Sequence, residues 1–421
     1  MGDVKIPRNH GVNIMKRSIA ATAFSLVALV CASAFAADGT FKIGIIGATT
    51  SHVPAFVKTI NNPDGAEIFR NFECVAVYPG GVPDNPDSWD RVERYTQDCV
   101  DAGLKVYSTI EEMLLNVDGV LLESVDGRPH LEQVKPVIAA KKPVFIDKPM
   151  GGSLKDVLEI FELAREANVP VFSASSLRYV KAYQQMRNDS PIGEIYGADA
   201  TSPCSINPKH PSLYWYGVHG VESLFTVMGP DCVSVSRTNT PNADVVVGVW
   251  KDKKIGTFRG IRKGAAPYSC KVFGKDGVQN VGDYEGYEPL LVEICKFFET
   301  GVSPVDEQET INIFAFMTAA DMSRKEKGKS VALADAIKAA EDEKRLTVTV
   351  TTTPTGQFIW SESDIEKTFD DFHGLRELVE EKLEDYDVVR FVLDNRAGLP
   401  VDTILKALEE LEDARLANYI Y

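Results

Sequence analysis

The chain has little of what marks a nucleic-acid, metal or disulfide protein. Its 421 residues carry 45 Lys and Arg against 61 Asp and Glu, a net charge of −16. No basic excess is left to replace the counterions of a phosphate backbone, which excludes nucleic acid as a partner. Histidine occurs six times and cysteine seven. No two cysteines stand at C-x-x-C spacing, and no group of His, Cys and acids has the spacing of a zinc site, so no metal is assigned. Cys74, Cys99, Cys204, Cys232, Cys270 and Cys295 are too scattered for a disulfide scaffold. They read as small buried hydrophobes, with one or two bridges as the alternative in an oxidising compartment. There is no internal repeat and no low-complexity tract. No apolar run reaches the ~20 residues that span a bilayer.

The first 36 residues have a different character. Lys16 and Arg17 precede an apolar run from Ile19 to Val30, and Ala34-Phe35-Ala36 closes the segment. A charged start, a short apolar stretch and an A-x-A site read as an export signal, residues 1–36, with Met15 as its start and 1–14 an over-called extension. The expectation is a periplasmic or extracellular chain without stable membrane insertion after cleavage. No small residue precedes Cys31 and no second arginine flanks Arg17. Neither a lipid anchor nor the folded-export route is signalled.

From Phe41 the chain alternates strands and helices. Strands are expected over Phe41–Gly47, Glu73–Tyr78, Val106–Ser108, Gly119–Glu123, Pro143–Ile146 and Val169–Ser173. Helices fall between them at Val53–Asn61, Trp89–Ala102, Thr109–Asn116, His130–Ala140 and Leu154–Ala167. That rhythm implies βαβ units, hence an α/β class with a doubly wound parallel sheet over 40–175. Residues 176–333 change to strand-rich patterning, at Gly193–Thr201, Val233–Thr238, Asp244–Trp250, Lys254–Arg262 and Ser269–Phe273. One helix over Ser212–Met228 interrupts them, and helices at Pro289–Glu299 and Glu307–Lys325 close the segment. This predicts an α+β substrate domain with a mostly antiparallel sheet. Residues 334–345 read as a polar, helix-prone linker.

Residues 346–421 read as a small α+β module. It has strands at Leu346–Thr351, Val388–Leu393 and Leu416–Tyr421 and helices at Asp364–Glu384 and Val401–Glu412. Residues 341–421 hold 20 acidic and 9 basic side chains, about two thirds of the net charge.

Three motifs bear on chemistry. Gly47-Ala48-Thr49-Thr50-Ser51-His52 stands where a dinucleotide-binding turn would read G-x-G-x-x-G. Gly47 begins the turn, while Thr49 and His52 take the other two glycine positions. Thr50 and Ser51 offer hydroxyls to a phosphate at the helix N-terminus, but added Cβ atoms narrow the approach. The turn is open to a second reading as a plain strand–helix connection. Tyr78-Pro79-Gly80-Gly81 replaces the acid that would hold a ribose, and Asp84 is the next carboxylate. NADP is therefore allowed alongside NAD. The third motif, Asp147-Lys148-Pro149, ends a buried strand at the edge where doubly wound sheets place ligands, and Pro149 stiffens the turn. Lys148 is either the group over the reacting centre or a surface lysine.

With these motifs in hand, residues 41–333 resemble the Gfo/Idh/MocA family of oxidoreductases. The resemblance implies NAD or NADP as cofactor, with Lys148 at the place of the family's strand-end lysine. It puts His219 at the family's second-domain histidine, with Trp215 where an aspartate usually stands. It places a further acid near Glu222 and a histidine at His130 after the fourth-strand loop. Gly47, Thr49, Thr50, Ser51, His52, Glu123 and Asp147 then fall on the cofactor side. Arg128, Arg178, Tyr214, Trp215 and Glu222 fall on the substrate side. The arginines equally suit interdomain salt bridges, and the run Tyr214-Trp215-Tyr216 equally suits core or subunit interface.

Residues 346–421 are similar to the periplasmic domain of ExbD/TolR-type transport proteins, on Thr347–Val350 and Val388–Asp394. This implies a possible envelope partner. The family's packing habits imply a homo-oligomer. Two functions follow as expectations: an exported NAD(P)-dependent oxidoreductase of a sugar, sugar acid or cyclitol, or a protein that binds a sugar-like ligand without turnover.

Overall fold

A computed structural model describes residues 39–282, 284–362, 365–382, 384–394, 400 and 416–420. The expected export signal over 1–36 and the expected helix over Val401–Glu412 lie outside the described residues. No helix among the described residues is long and apolar enough to cross a membrane.

The first unit runs β1 (Phe41–Ile46), α1 (His52–Ile60), β2 (Phe72–Tyr78), α2 (Pro86–Trp89), α3 (Val92–Asp101), β3 (Lys105–Val106) and α4 (Ile110–Leu114). It continues through β4 (Gly119–Leu122), α5 (His130–Ala139), β5 (Val144–Ile146), α6 (Leu154–Ala167) and β6 (Val171–Ser173). The six strands pair in the order β3-β2-β1-β4-β5-β6, every neighbour parallel. Parallel strands need crossover helices, and their interior residues are apolar because helices cover both faces. Ile43, Ile45, Val120, Leu121, Val144 and Phe145 are accordingly sealed from water. The order places the switch point between β1 and β4, where doubly wound sheets open a crevice. The helix expected over Trp89–Ala102 is two, because Pro86, preset at helical φ, opens a separate first turn.

The second unit holds α7 (Lys181–Asn188), β7 (Ile195–Pro203), α8 (Val218–Met228), β8 (Cys232–Thr240), β9 (Ala243–Trp250), β10 (Ile255–Ile261), β11 (Ser269–Gly274) and β12 (Gly277–Val281). Then come α9 (Glu288–Thr300), α10 (Glu307–Lys325), β13 (Val331–Ala332) and α11 (Leu333–Asp342). Its sheet runs β12-β11-β7-β10-β9-β8-β13, antiparallel except at β7–β10. Residues of β9 alternate between buried and half-buried, so one face of the sheet is closed by α8 and α10. The helix expected from Ser212 begins only at Val218. Ser212 is instead tied to Asp321 and Arg237, which competes with a helical first turn.

Two segments sit elsewhere than their sequence position suggests. Helix α9 buries Leu290, Leu291, Ile294, Phe297 and Phe298 in the same apolar cluster as Phe41, Ile43 and Phe56 of the first unit. Phe298 stacks on Phe41 at 5.2 Å between ring centroids. The expected linker over 334–345 is largely α11, whose Leu333, Ala336 and Ala340 are buried with α6 and α10 alongside.

The third unit comprises β14 (Arg345–Thr352), β15 (Phe358–Glu362), β16 (Ile365–Phe369), α12 (Phe372–Lys382), β17 (Val388–Asp394) and β18 (Leu416–Ile420). Its strands order β16-β15-β14-β17-β18. The helix expected over Asp364–Glu384 is shorter, since Ile365–Phe369 pairs with β15, Phe358 opposite Phe369 and Trp360 opposite Lys367. The ladder wins there over the helix propensity of a charged segment.

Candidate active site

Four parallel strands deliver the chemistry to one edge. The turn Gly47–Ser51 follows β1, Glu123 follows β4, Asp147 and Lys148 follow β5, and Ser175 follows β6. Helix α8 of the second unit brings His219 against them. Between the units lies a cleft of about 510 Å³ bounded by Thr50, Ser51 and His52 on one side and Trp215, Tyr216 and His219 on the other. Lys148 lines it too. Lysine and histidine therefore open onto the same space.

His219 is buried, and its Nδ1 lies 2.7 Å from the Ser175 hydroxyl. That hydroxyl oxygen also accepts from the Leu177 N–H at 3.3 Å, and with Nδ1–H donating to the same oxygen the lone pair is left on Nε2. Nδ1 is thereby occupied, and Nε2 is the nitrogen left to a ligand. Tyr216 and Tyr268 set their rings edge-on to His219, at 5.4 and 5.8 Å between centroids. Burial, then the charges of Lys148 and His52, hold His219 well below the usual histidine range. It is a neutral base at neutral pH. The Lys148–Pro149 bond is cis, and the Lys148 ammonium sits 6.0 Å from the centre of the Tyr216 ring.

Behind the cleft wall, His52, Glu123 and Asp147 converge. His52 Nδ1 is 2.7 Å from Asp147 Oδ2 and 4.0 Å from Glu123 Oε2. The ring is clamped by Phe56, stacked at 5.5 Å, and Tyr287 at 4.7 Å. Burial would raise Asp147, but neighbouring His52, then Lys148, hold it down to about 2. Glu123 has no such help. Burial and the neighbouring Asp147 push it well above the usual carboxylate range, and neither of its oxygens has a hydrogen-bond partner.

The other expected site residues divide. Trp215 lines the cleft, as do Thr50 and Ser51. Tyr214 does not: it is fully buried, its hydroxyl 2.7 Å from that of Thr318 and its ring edge-on to Phe314. Arg128 is held by Asp126 and Asp84, with His210 of the second unit 2.9 Å from Asp126. Arg178 bridges Glu222 at 2.7 Å and Glu309 at 2.8 Å. Both arginines thus take the salt-bridge role, since an internal carboxylate leaves no charge over for a substrate anion. Glu222 is consumed in the same way and also accepts from the Ser175 N–H at 2.8 Å, so it braces the histidine's partner. His130 is closed off too, its nitrogens on the Ser124 and Met150 carbonyls.

Gly47 has φ +93°, and a Cβ there would meet Ser124 backbone at 2.6 Å. Thr49 fills the second glycine position and accepts from the Val125 N–H at 2.8 Å, joining the first turn to the β4 loop. Sequence reasoning missed Tyr268, Tyr284 and Tyr287, which wall the cleft. They stand among strand ends and loops remote from every motif, and only their aromatic type hinted at them.

This geometry defines a protein whose first two units enclose a cleft at the switch point of a Rossmann-type sheet. Residues 41–175 match the GFO/IDH/MocA oxidoreductase family, NAD-binding Rossmann fold. An uncharacterized oxidoreductase of Synechocystis sp. is 34% identical over 80 residues, 18% of this chain and 21% of that protein. Myo-inositol 2-dehydrogenase of Thermotoga maritima is 30% identical over 118 residues, 28% of this chain and 35% of its own. These matches span about a fifth and a third of the relatives' lengths. The fold extends further. The structure of myo-inositol dehydrogenase from Lactobacillus casei with NAD(H) and myo-inositol superposes with a TM-score of 0.56 at 16% identity, covering 70% of this chain and 96% of that one.

The donor set at the turn fits a nucleotide phosphate. Thr50 and Ser51 edge the cleft with their hydroxyls at the start of the nine-residue α1, whose dipole favours an anion. No acid stands directly after β2, where Pro79-Gly80-Gly81 runs, and Asp84 further on is paired with Arg128.

Proposed function

We propose that the chain is an NAD(P)-dependent oxidoreductase of a secondary alcohol on a sugar or cyclitol, with Lys148 and His219 at the carbinol oxygen. The observation that carries it is the shared cleft of these two side chains in a chain whose first unit matches an NAD-binding family. The relatives named for inositol chemistry support the polyol class. Export of the chain, a homo-oligomer and an envelope partner for residues 346–421 belong to the same proposal and rest on sequence.

The cofactor, held by Thr50, Ser51 and the N-terminus of α1, supplies the hydride chemistry. The protein supplies the rest. The Lys148 ammonium donates to the carbinol oxygen and stabilises the negative charge that grows there as the hydroxyl loses its proton. Neutral His219 accepts that proton at Nε2, and Ser175 keeps the ring oriented through Nδ1. Trp215, Tyr216, Tyr268, Tyr284 and Tyr287 give the apolar faces on which a sugar ring stacks. Because Arg128 and Arg178 are spent on internal carboxylates, a neutral ring suits the cleft better than a sugar acid.

Native mass spectrometry with Lys148→Ala kinetics tests the reading. Bound NAD(H) or NADP(H), and a fall in turnover of about 10²–10⁴ with the fold kept, is the expected pair of results. Unchanged turnover removes Lys148 from the chemistry. One observation favours a second reading, a ligand-binding protein without turnover: the Thr49 side chain occupies the position where a glycine would admit the pyrophosphate. A protein that emerges without nucleotide and ignores it at millimolar concentration, yet binds cyclitols, would establish that alternative.

A further inference from the structure

The cluster behind the cleft wall has a feature that neither hydride transfer nor proton transfer uses. Glu123 is fully buried, and both its carboxylate oxygens lack a hydrogen-bond partner among the described residues. An isolated buried carboxylate is costly, and proteins resolve it by pairing, by protonation or by binding a cation. The ligand atoms of His52, Glu123 and Asp147 all lie within 4.8 Å of one another.

We infer that His52, Glu123 and Asp147 form a binding site for one divalent transition cation of the zinc or manganese class. One imidazole nitrogen and two carboxylates are the donors such ions take, and three protein ligands leave a position for water or a substrate oxygen. Bonds of about 2.0–2.2 Å bring ligand atoms to roughly 3.4 Å of each other, so closing the cluster needs only small side-chain rotations. A bound cation supplies the positive charge that lets Glu123 ionise beside Asp147, its proton passing to solvent. In the cation's absence the His52–Asp147 contact of 2.7 Å is an ion-pair approach, and neither atom is placed for a well-formed hydrogen bond. A cation among the three groups gives these atoms and Glu123 the partner they lack. His52 and Lys148 both line the cleft, so the site lies directly behind the surface a ligand would touch. The inference goes beyond the oxidoreductase reading, and its readout is occupancy rather than turnover.

The test uses the whole chain, stripped with chelator and titrated with Zn²⁺, Mn²⁺ or Co²⁺. Calorimetry and elemental analysis should give one cation per chain, and Co²⁺ should develop visible absorption bands from nitrogen and oxygen ligation. Glu123→Gln keeps the side-chain volume and should weaken binding at least about tenfold. Asp147→Asn serves in its place if that variant does not fold. His373→Ala is the control for casual surface binding, because exposed His373 stands one helical turn from Glu377. Wild-type protein that takes up none of the three ions at millimolar concentration overturns the inference. So does binding that survives Glu123→Gln but disappears in His373→Ala.

Discussion

Replacing Arg128 by alanine separates a structural arginine from a substrate-binding one. Its guanidinium lies 2.6 Å from Asp126 and 2.7 Å from Asp84, and it is almost sealed from solvent. Asp126 is wholly buried, and after the substitution its remaining side-chain partners are His210 at 2.9 Å and Asn85 at 2.8 Å. Removing one member of a buried ion pair leaves the other uncompensated and costs about 3–5 kcal/mol. At the roughly 2–4 °C per kcal/mol expected for domains of 150–250 residues, that is a loss on the order of 10 °C in Tm.

The pH dependence gives a second handle on the same pair. Burial would raise Asp126, but Arg128 and His210 hold it well below its ordinary value. A carboxylate depressed in the folded state contributes stability above its unfolded pKa of about 3.9, and that stability is lost as pH falls through the folded value. Wild type should therefore keep this increment down to below about pH 4. In Arg128→Ala the acid limb of stability should move to higher pH. Urea melts between pH 3 and 7, with ligand titration alongside, read both effects. Melts within about 0.5 kcal/mol of wild type, together with a raised ligand Kd, would refute the reasoning and return Arg128 to the substrate.

Three further outcomes are expected. His219 is held low by burial first and by Lys148 second, so the rate should fall only as pH drops below the ordinary histidine range. Lys148→Met, measured as kcat/KM against pH, should shift that limb upward without restoring it fully; an unmoved limb would sever the two residues. Asp156→Asn should free the third unit, because Asp156 is buried and pairs with both Arg345 and Arg390. Limited proteolysis should then cut near residues 343–345 faster than in wild type, and equal rates would show that the carboxylate does not anchor it. Gly47→Ala, which forces a Cβ onto Ser124 backbone at a φ of +93°, should cost at least about 1–3 kcal/mol in a urea melt.

The parallel sheet was readable because its strands are short apolar runs between amphipathic helices, a local pattern. Lys148 was readable for the same reason: a charged residue directly after a buried strand has few places to point. His219 and Trp215 came through a family resemblance rather than through their neighbours. The cluster of His52, Glu123 and Asp147 was invisible as a group, since 71 and 24 positions separate its members and only parallel pairing of β1, β4 and β5 unites them. The partners of Arg178 were hidden likewise, as Glu222 and Glu309 come from helices 44 and 131 positions away. Where local propensity and tertiary pairing conflicted, as over Ile365–Phe369, the sheet prevailed and the helical expectation failed.

The short join between α11 and β14 has a consequence for how this chain is cut and handled. Only Glu343 and Lys344 separate the two elements, and the Lys155 ammonium grips the Ala340 carbonyl just before them at 3.2 Å. Two residues of slack cannot act as a tether. A truncation at this point would strip both arginines from Asp156 at the head of α6 and leave a bare carboxylate where a lid had been. The acidic third unit is thus masonry rather than pendant, and the fragment without it should be the less soluble of the two products.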